Sequence, residues 1–177
     1  MSDQPTNAGG NGQGAQQPGG PSALPVHILA QYVKDFSFEN PNAPQSLMPG
    51  QPQPQVNIGV DVQARGAAED VYEVVLHLRC EAKQNENTAF LVELAYGGLF
   101  QLPGLAQEHH RPVLMIEGPR LLFPFARAIV AEATRDGGYP PLMINPIDFA
   151  DLYRRQLAAA QQADKPNGET PAQQPPF

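Results

Sequence analysis

The sequence predicts an α+β domain: a four-stranded antiparallel sheet with a helical layer on one face. Three observations lead there. Apolar residues alternate at period two through most of 26–96, so each strand has one buried and one wet face. The links between the later strands are short and polar, as hairpins require. In the second half the apolar residues recur at helical spacing instead.

The first strand, 26–39, is mixed and ends on Phe36 and Phe38 against Asp35, Ser37 and Glu39. The stretch after it, ENPNAPQSLMPGQPQPQ, has prolines that block helix and central strand, and it is long enough to cross over the sheet. The second strand sets Val56, Ile58, Val60, Val62 and Ala64 against Asn57, Gly59, Asp61 and Gln63. The third sets Tyr72, Val74, Leu76, Leu78, Cys80 and Ala82 against Glu73, His77, Arg79, Glu81 and Lys83. The fourth carries Phe90, Val92, Leu94 and Tyr96 on one side and Ala89, Leu91, Glu93 and Ala95 on the other. A helix follows, with Leu121, Leu122, Phe125, Ala128, Ile129 and Ala133 as its stripe; it begins near Pro119 or Pro124 and ends at Gly137-Gly138. The last helix starts at Asn145-Pro146, has Asp148 and Asp151 at its positive end, pairs Asp151 with Arg155, and carries Phe149, Leu152, Tyr153, Leu157 and Ala160 on its apolar side.

Composition narrows the function classes. The chain has 177 residues with 20 Pro, 16 Gly, one Cys and a net charge of −7. Such acidity disfavours gripping a nucleic-acid backbone. One cysteine excludes an internal disulfide framework and a Cys-rich zinc site. No apolar run approaches the ~20 residues a bilayer span requires, and the N-terminus has neither a basic start nor an apolar core, so a cytosolic protein is expected. Residues 1–22 and 162–177 are Gly-, Gln- and Pro-rich and are expected to be disordered tails around one domain at 24–160.

Little catalytic chemistry is legible. His109 and His110 are adjacent, whereas a helical metal pair needs a spacing of three or four. His27 and His77 fall on polar faces, and Cys80 falls on an apolar one as a buried small hydrophobe. The polar side of the strands carries Asp35, Glu39, Asp61, Glu73, Glu81 and Glu93, with Arg65, Arg79 and Lys83. That pattern is either a solvated face or an acidic platform for a basic partner. Apolar residues exceed what one monomer buries: the helix at 120–135 is apolar around much of its circumference. Self-association is therefore expected, with the first strand an edge that pairs with a copy of itself.

The run KDFSFENPNAP, the strands DVYEVVLHL and TAFLVELAYGGLFQLPG, the helix LLFPFARAIVAEATRDGGYPPLMINPIDF and the final LYRRQL together resemble SecB, the bacterial protein-export chaperone family, over residues 26–157. The resemblance implies a homotetramer, a dimer of dimers, that holds unfolded precursor proteins and delivers them to the export motor SecA. It implies no enzymatic activity, no ATP and no cofactor. It places the client groove on Leu47 and Met48 of the crossover, Val56, Ile58 and Val60 of the second strand, and Phe149, Tyr153 and Leu157 of the last helix. It matches the motor-binding residues to Asp35, Glu39, Leu91 and Glu93. Where family members often place a Trp in the crossover, this chain has none. Two alternatives share the architecture: a SecB-like chaperone guarding a toxin–antitoxin pair, and a small thioesterase-like enzyme.

Overall fold

The structure, a computed structural model, describes residues 26–163. Four strands form one antiparallel sheet: β1 (His27–Glu39), β2 (Gln55–Ala68), β3 (Val71–Gln84) and β4 (Asn87–Gln101). Their order is β1-β4-β3-β2, so 40–54 carries the chain from one edge of the sheet to the other. The tail expected at 1–22 lies outside the described residues, as does the one expected at 162–177 except for its first two positions, Gln162 and Ala163, which are helical.

β2 and β4 run longer than their alternation suggested. The two hairpin links shrink to tight turns, with Asp70 and Asn85 at φ of 52° and 55°, a conformation these residue types tolerate. The mixed pattern of β1 has a physical cause. Its register with β4 shifts between Ile28 and Ala30 and again between Val33 and Asp35. The second bulge inserts Lys34, so Val33 and Phe36 oppose Tyr96 and Leu94 on one face, while Tyr32 and Asp35 oppose Gly97 and Ala95 on the other.

One face of the sheet is covered by α1 (Gln107–Asp136), and α2 (Phe149–Ala163) packs against α1. The core joins Val74, Leu76, Leu78 and Cys80 of β3 to Phe90, Val92, Leu94 and Phe100 of β4. Above them lies a row of α1 residues spaced by four: Leu114, Gly118, Leu122, Ala126 and Val130. Gly118 permits the close approach, since a Cβ there would sit 3.0 Å from Val74 Cγ2.

This row corrects the expected helix. α1 starts twelve residues before Pro119, at Gln107, and runs through Pro112, Pro119 and Pro124. An internal proline costs about 3 kcal/mol in isolation, but burial of the whole row along the sheet holds the helix together. Leu121 and Phe125, expected on the buried stripe, are exposed instead. α2 also starts later than expected. Asp148, not Asn145, caps it, its Oδ1 accepting from the Asp151 amide at 2.9 Å. Arg155 pairs with Asp151 at 2.9 Å, as the spacing predicted.

His110 is buried at the start of α1. Tyr72 Oη lies 2.7 Å from its Nδ1, and its Nε2 lies 2.8 Å from the Leu105 carbonyl. Both ring nitrogens are thus occupied, one tying α1 to β3 and the other to the loop that leads into the helix. Burial pushes the Cys80 thiol up to about 11, so it behaves as a packed apolar group.

Candidate polypeptide-binding groove and docking face

Two surfaces lie on opposite faces of the one sheet. The first flanks β2 on the helix side. β2 is an edge strand, and the helices cover its apolar row only in part: Val62 is buried and Val60 half-buried, while Val56 and Ile58 remain exposed. Beside Val56 the crossover forms a 3-10 turn (Gln45–Leu47) and presents Leu47 and Met48, the latter 58% exposed. Leu47, Met48, Val56, Phe90, Tyr139 and Leu142 line a cavity of about 410 Å³ between the crossover and the segment after α1.

Of the eight groove residues named from the sequence, Leu47, Met48 and Val56 meet at this cavity. Ile58 lies two residues further along the same face of β2. α2 reaches this strand too, with Gln156 Nε2 donating to Asp61 Oδ1 at 3.1 Å. On α2, Leu157 is exposed and Tyr153 half-buried. Phe149 differs from the rest: it is only 2% exposed and sits edge-on to Phe123 at 5.9 Å. It supports the helix from within the core and presents no open surface. Sequence reasoning missed the groove's other wall, Pro140, Pro141 and Leu142, with Met143 exposed beside it. The signal was available in YPPLM, an apolar run that neither helix could absorb.

The second surface is the outer face of the sheet. Asp35 opposes Ala95, Ser37 opposes Glu93, and Glu39 opposes Leu91. The four proposed motor-binding residues therefore form one patch on β1 and β4. Among the described residues Asp35 and Glu39 make no ion pair, whereas Glu93 pairs with Arg79. Glu81 is shared between Lys83 at 3.4 Å and Arg79 at 4.0 Å.

Glu73 departs from the solvated-face expectation. It is 5% exposed and receives Lys34 at 2.7 Å, Arg65 at 2.5 Å, and the Tyr32 hydroxyl. Lys34 first, then Tyr32 and Arg65, hold its carboxyl down at about 2, against a usual value of 4.5. The cluster ties β1, β3 and β2 together across the sheet. Tyr32 reaches it by lying flat over Gly97, where a Cβ would come 2.7 Å from its ring.

Because its folded pKa is depressed, Glu73 contributes stability above about pH 4.5 and loses it as pH falls toward 2. Glu73→Gln lowers stability at pH 7 by roughly 1–2 kcal/mol, since both cations retain solvent. Denaturant midpoints of parent and variant should converge between pH 4.5 and 2. A gap that stays constant over that range contradicts the account.

No helix among the described residues is long and apolar enough to cross a membrane, and no group of three metal-ligating side chains occurs among them. What the fold offers is a sheet with an open apolar groove on one face and an acidic patch on the other, the build of a protein that binds other proteins.

Residues 20–160 match the family model described as preprotein translocase subunit SecB. A protein-export protein SecB of Rhodospirillum centenum is 60% identical over 89% of this chain and 93% of its own length. One of Maricaulis maris is 53% identical over 81% and 85%. The fold is that of a Mycobacterium tuberculosis SecB-like chaperone solved with an antitoxin peptide, at TM-score 0.58 and 15% identity over 69% of this chain and 90% of that one. The chain belongs to the SecB family of protein-export chaperones, a family of chaperones rather than enzymes.

Proposed function

We propose that this protein holds unfolded precursor polypeptides in its apolar groove and delivers them to SecA through the outer face of the sheet. It works in the cytoplasm as a homotetramer, without ATP or cofactor. The carrying observation is the separation of the two surfaces. Leu47, Met48, Val56, Ile58 and Leu157 expose apolar side chains on the helix side, and Asp35, Glu39 and Glu93 expose carboxylates on the other. A client can occupy the first while the motor engages the second. Export is favoured over guarding an antitoxin, because the relatives at 60% and 53% identity are protein-export proteins, while the antitoxin complex shares the fold at 15%.

Capture rests on buried apolar area and is weakly screened by salt. Leu157→Ser removes an exposed apolar side chain and should weaken binding of an unfolded polypeptide several-fold, with little change in thermal midpoint. Titration with a permanently unfolded, carboxymethylated protein measures this, and unchanged affinity would move the groove off α2.

Two further apolar surfaces support assembly. Leu121 and Phe125 project from α1, and Ile28, Leu29, Val33 and Phe36 project from the edge strand β1. Light scattering at micromolar concentration should give a mass near four times the 19.1 kDa chain. A monomeric mass contradicts the tetramer.

A further inference from the structure

The geometry points to Gln84 as the residue that positions the apolar finger of the groove. This inference rests on the client-groove reading above. Prolines at 49, 52 and 54 deny the crossover the amide protons with which a chain normally pairs. Among the described residues, 49–54 make a single hydrogen bond, and it comes from Gln84.

Gln84 is the last residue of β3 and is buried. Its side-chain nitrogen donates to the Ser46 carbonyl at 3.2 Å and to the Pro52 carbonyl at 3.1 Å. Two carbonyl acceptors consume both amide protons, which fixes the orientation of the group. Ser46 and Pro52 bracket the five residues from Leu47 to Gln51, and Gly50 at φ 90° supplies the bend between them. One side chain therefore closes the base of a short loop whose near arm carries Leu47 and Met48.

The near side of the base is anchored a second time. Tyr139 Oη lies 2.8 Å from Ser46 Oγ, 3.0 Å from Asn40 Oδ1 and 3.0 Å from the Ala89 carbonyl. The far side, at Pro52, has Gln84 alone among the described residues. The finger then leans on the end of α1: a Cβ at Gly138 would come 3.1 Å from Leu47 Cδ1. Closing the base with a rigid side chain fixes two apolar groups before a client arrives, which reduces the ordering that binding must impose.

Gln84→Met and Gln84→Glu test this in the full-length protein. Both keep the side-chain length. The first removes the donors, and the second sets a carboxylate against two carbonyl oxygens. Amide exchange at Leu47 and Met48, whose N–H groups donate to the Pro44 and Gln45 carbonyls, should rise about tenfold in both at pH 8. Affinity for a carboxymethylated unfolded protein should fall about fivefold, with the oligomeric mass unchanged. At pH 5.5 a protonated acid can donate again, so Gln84→Glu should recover part of its affinity relative to the parent at the same pH. Gln84→Met should not recover. The titratable groups around the site are the Tyr139 hydroxyl in the cavity wall, with Lys83 and Glu86 flanking position 84 along the chain.

Unchanged exchange in both variants overturns the positioning role, and so does a loosened finger with undiminished capture. A Leu47→Ser/Met48→Ser variant separates the two levels. If it captures like the parent, the groove reading itself fails and the inference with it. If it loses capture while the Gln84 variants keep theirs, the groove stands and Gln84 does not position it.

Discussion

Reversing Asp35, Glu39 and Glu93 to Lys should lower affinity for SecA by about a hundredfold and leave capture of unfolded polypeptide unchanged. All three side chains are exposed on the outer face of β1 and β4, so substitution there has a small effect on stability. Asp35 and Glu39 have no ion pair to lose among the described residues, and Glu93 loses an exposed pair with Arg79, which contributes at most about 1 kcal/mol. Against a basic partner the change is different in kind. Three attractive contacts become like-charge contacts, each costing on the order of 1 kcal/mol or more, and about 1.4 kcal/mol is tenfold in affinity. Parent binding should weaken steeply with salt, and binding of the variant should be weak at every salt concentration. If affinity for client and for motor fall together, the acids are structural. If neither falls, the outer face is only a solvated surface.

The complementary triple variant, Leu47→Ser/Met48→Ser/Ile58→Ser, should lose capture by about a hundredfold and keep its SecA affinity. Each of the three is already exposed in the folded subunit, so little packing is removed. Each forfeits roughly 1 kcal/mol or more of the burial a client would provide, within the range for partly burying an aliphatic side chain. Isothermal titration with a carboxymethylated unfolded protein, beside a SecA titration, measures both. Loss of SecA binding in this variant would mean that the two surfaces are not separate.

The sheet was legible because strand pattern is local. Period-two alternation in 56–64, 71–83 and 88–96 named the buried row of β3 and β4 and placed Glu93 on the wet face, and the alternating end of 26–39 placed Asp35 and Glu39 there with it. β1 resisted because two bulges exchange its faces. The start of α1 was illegible for a related reason. Three prolines argue for breaks, and only the sheet, distant in sequence, outweighs them. The groove was half legible. Exposed apolar side chains on the crossover and β2 followed from the resemblance, but the groove's polar supports did not. Gln84 meets Ser46 across 38 positions and Tyr139 meets it across 93, so neither pairing leaves a trace in local spacing. Glu73 was misjudged likewise: its three partners lie on β1 and β2, and alternation alone marks it as one more solvated acid.

Separate surfaces for client and motor are the central claim, and methyl NMR of the full-length protein during titration with an unfolded polypeptide tests it most directly. The account predicts shifted and broadened methyl signals for Leu47, Met48, Val56, Ile58 and Leu157. Backbone signals of Asp35, Glu39 and Glu93 should stay in place until SecA is added. Client-induced changes centred on the outer face of β1 and β4, with the groove methyls unmoved, would contradict it.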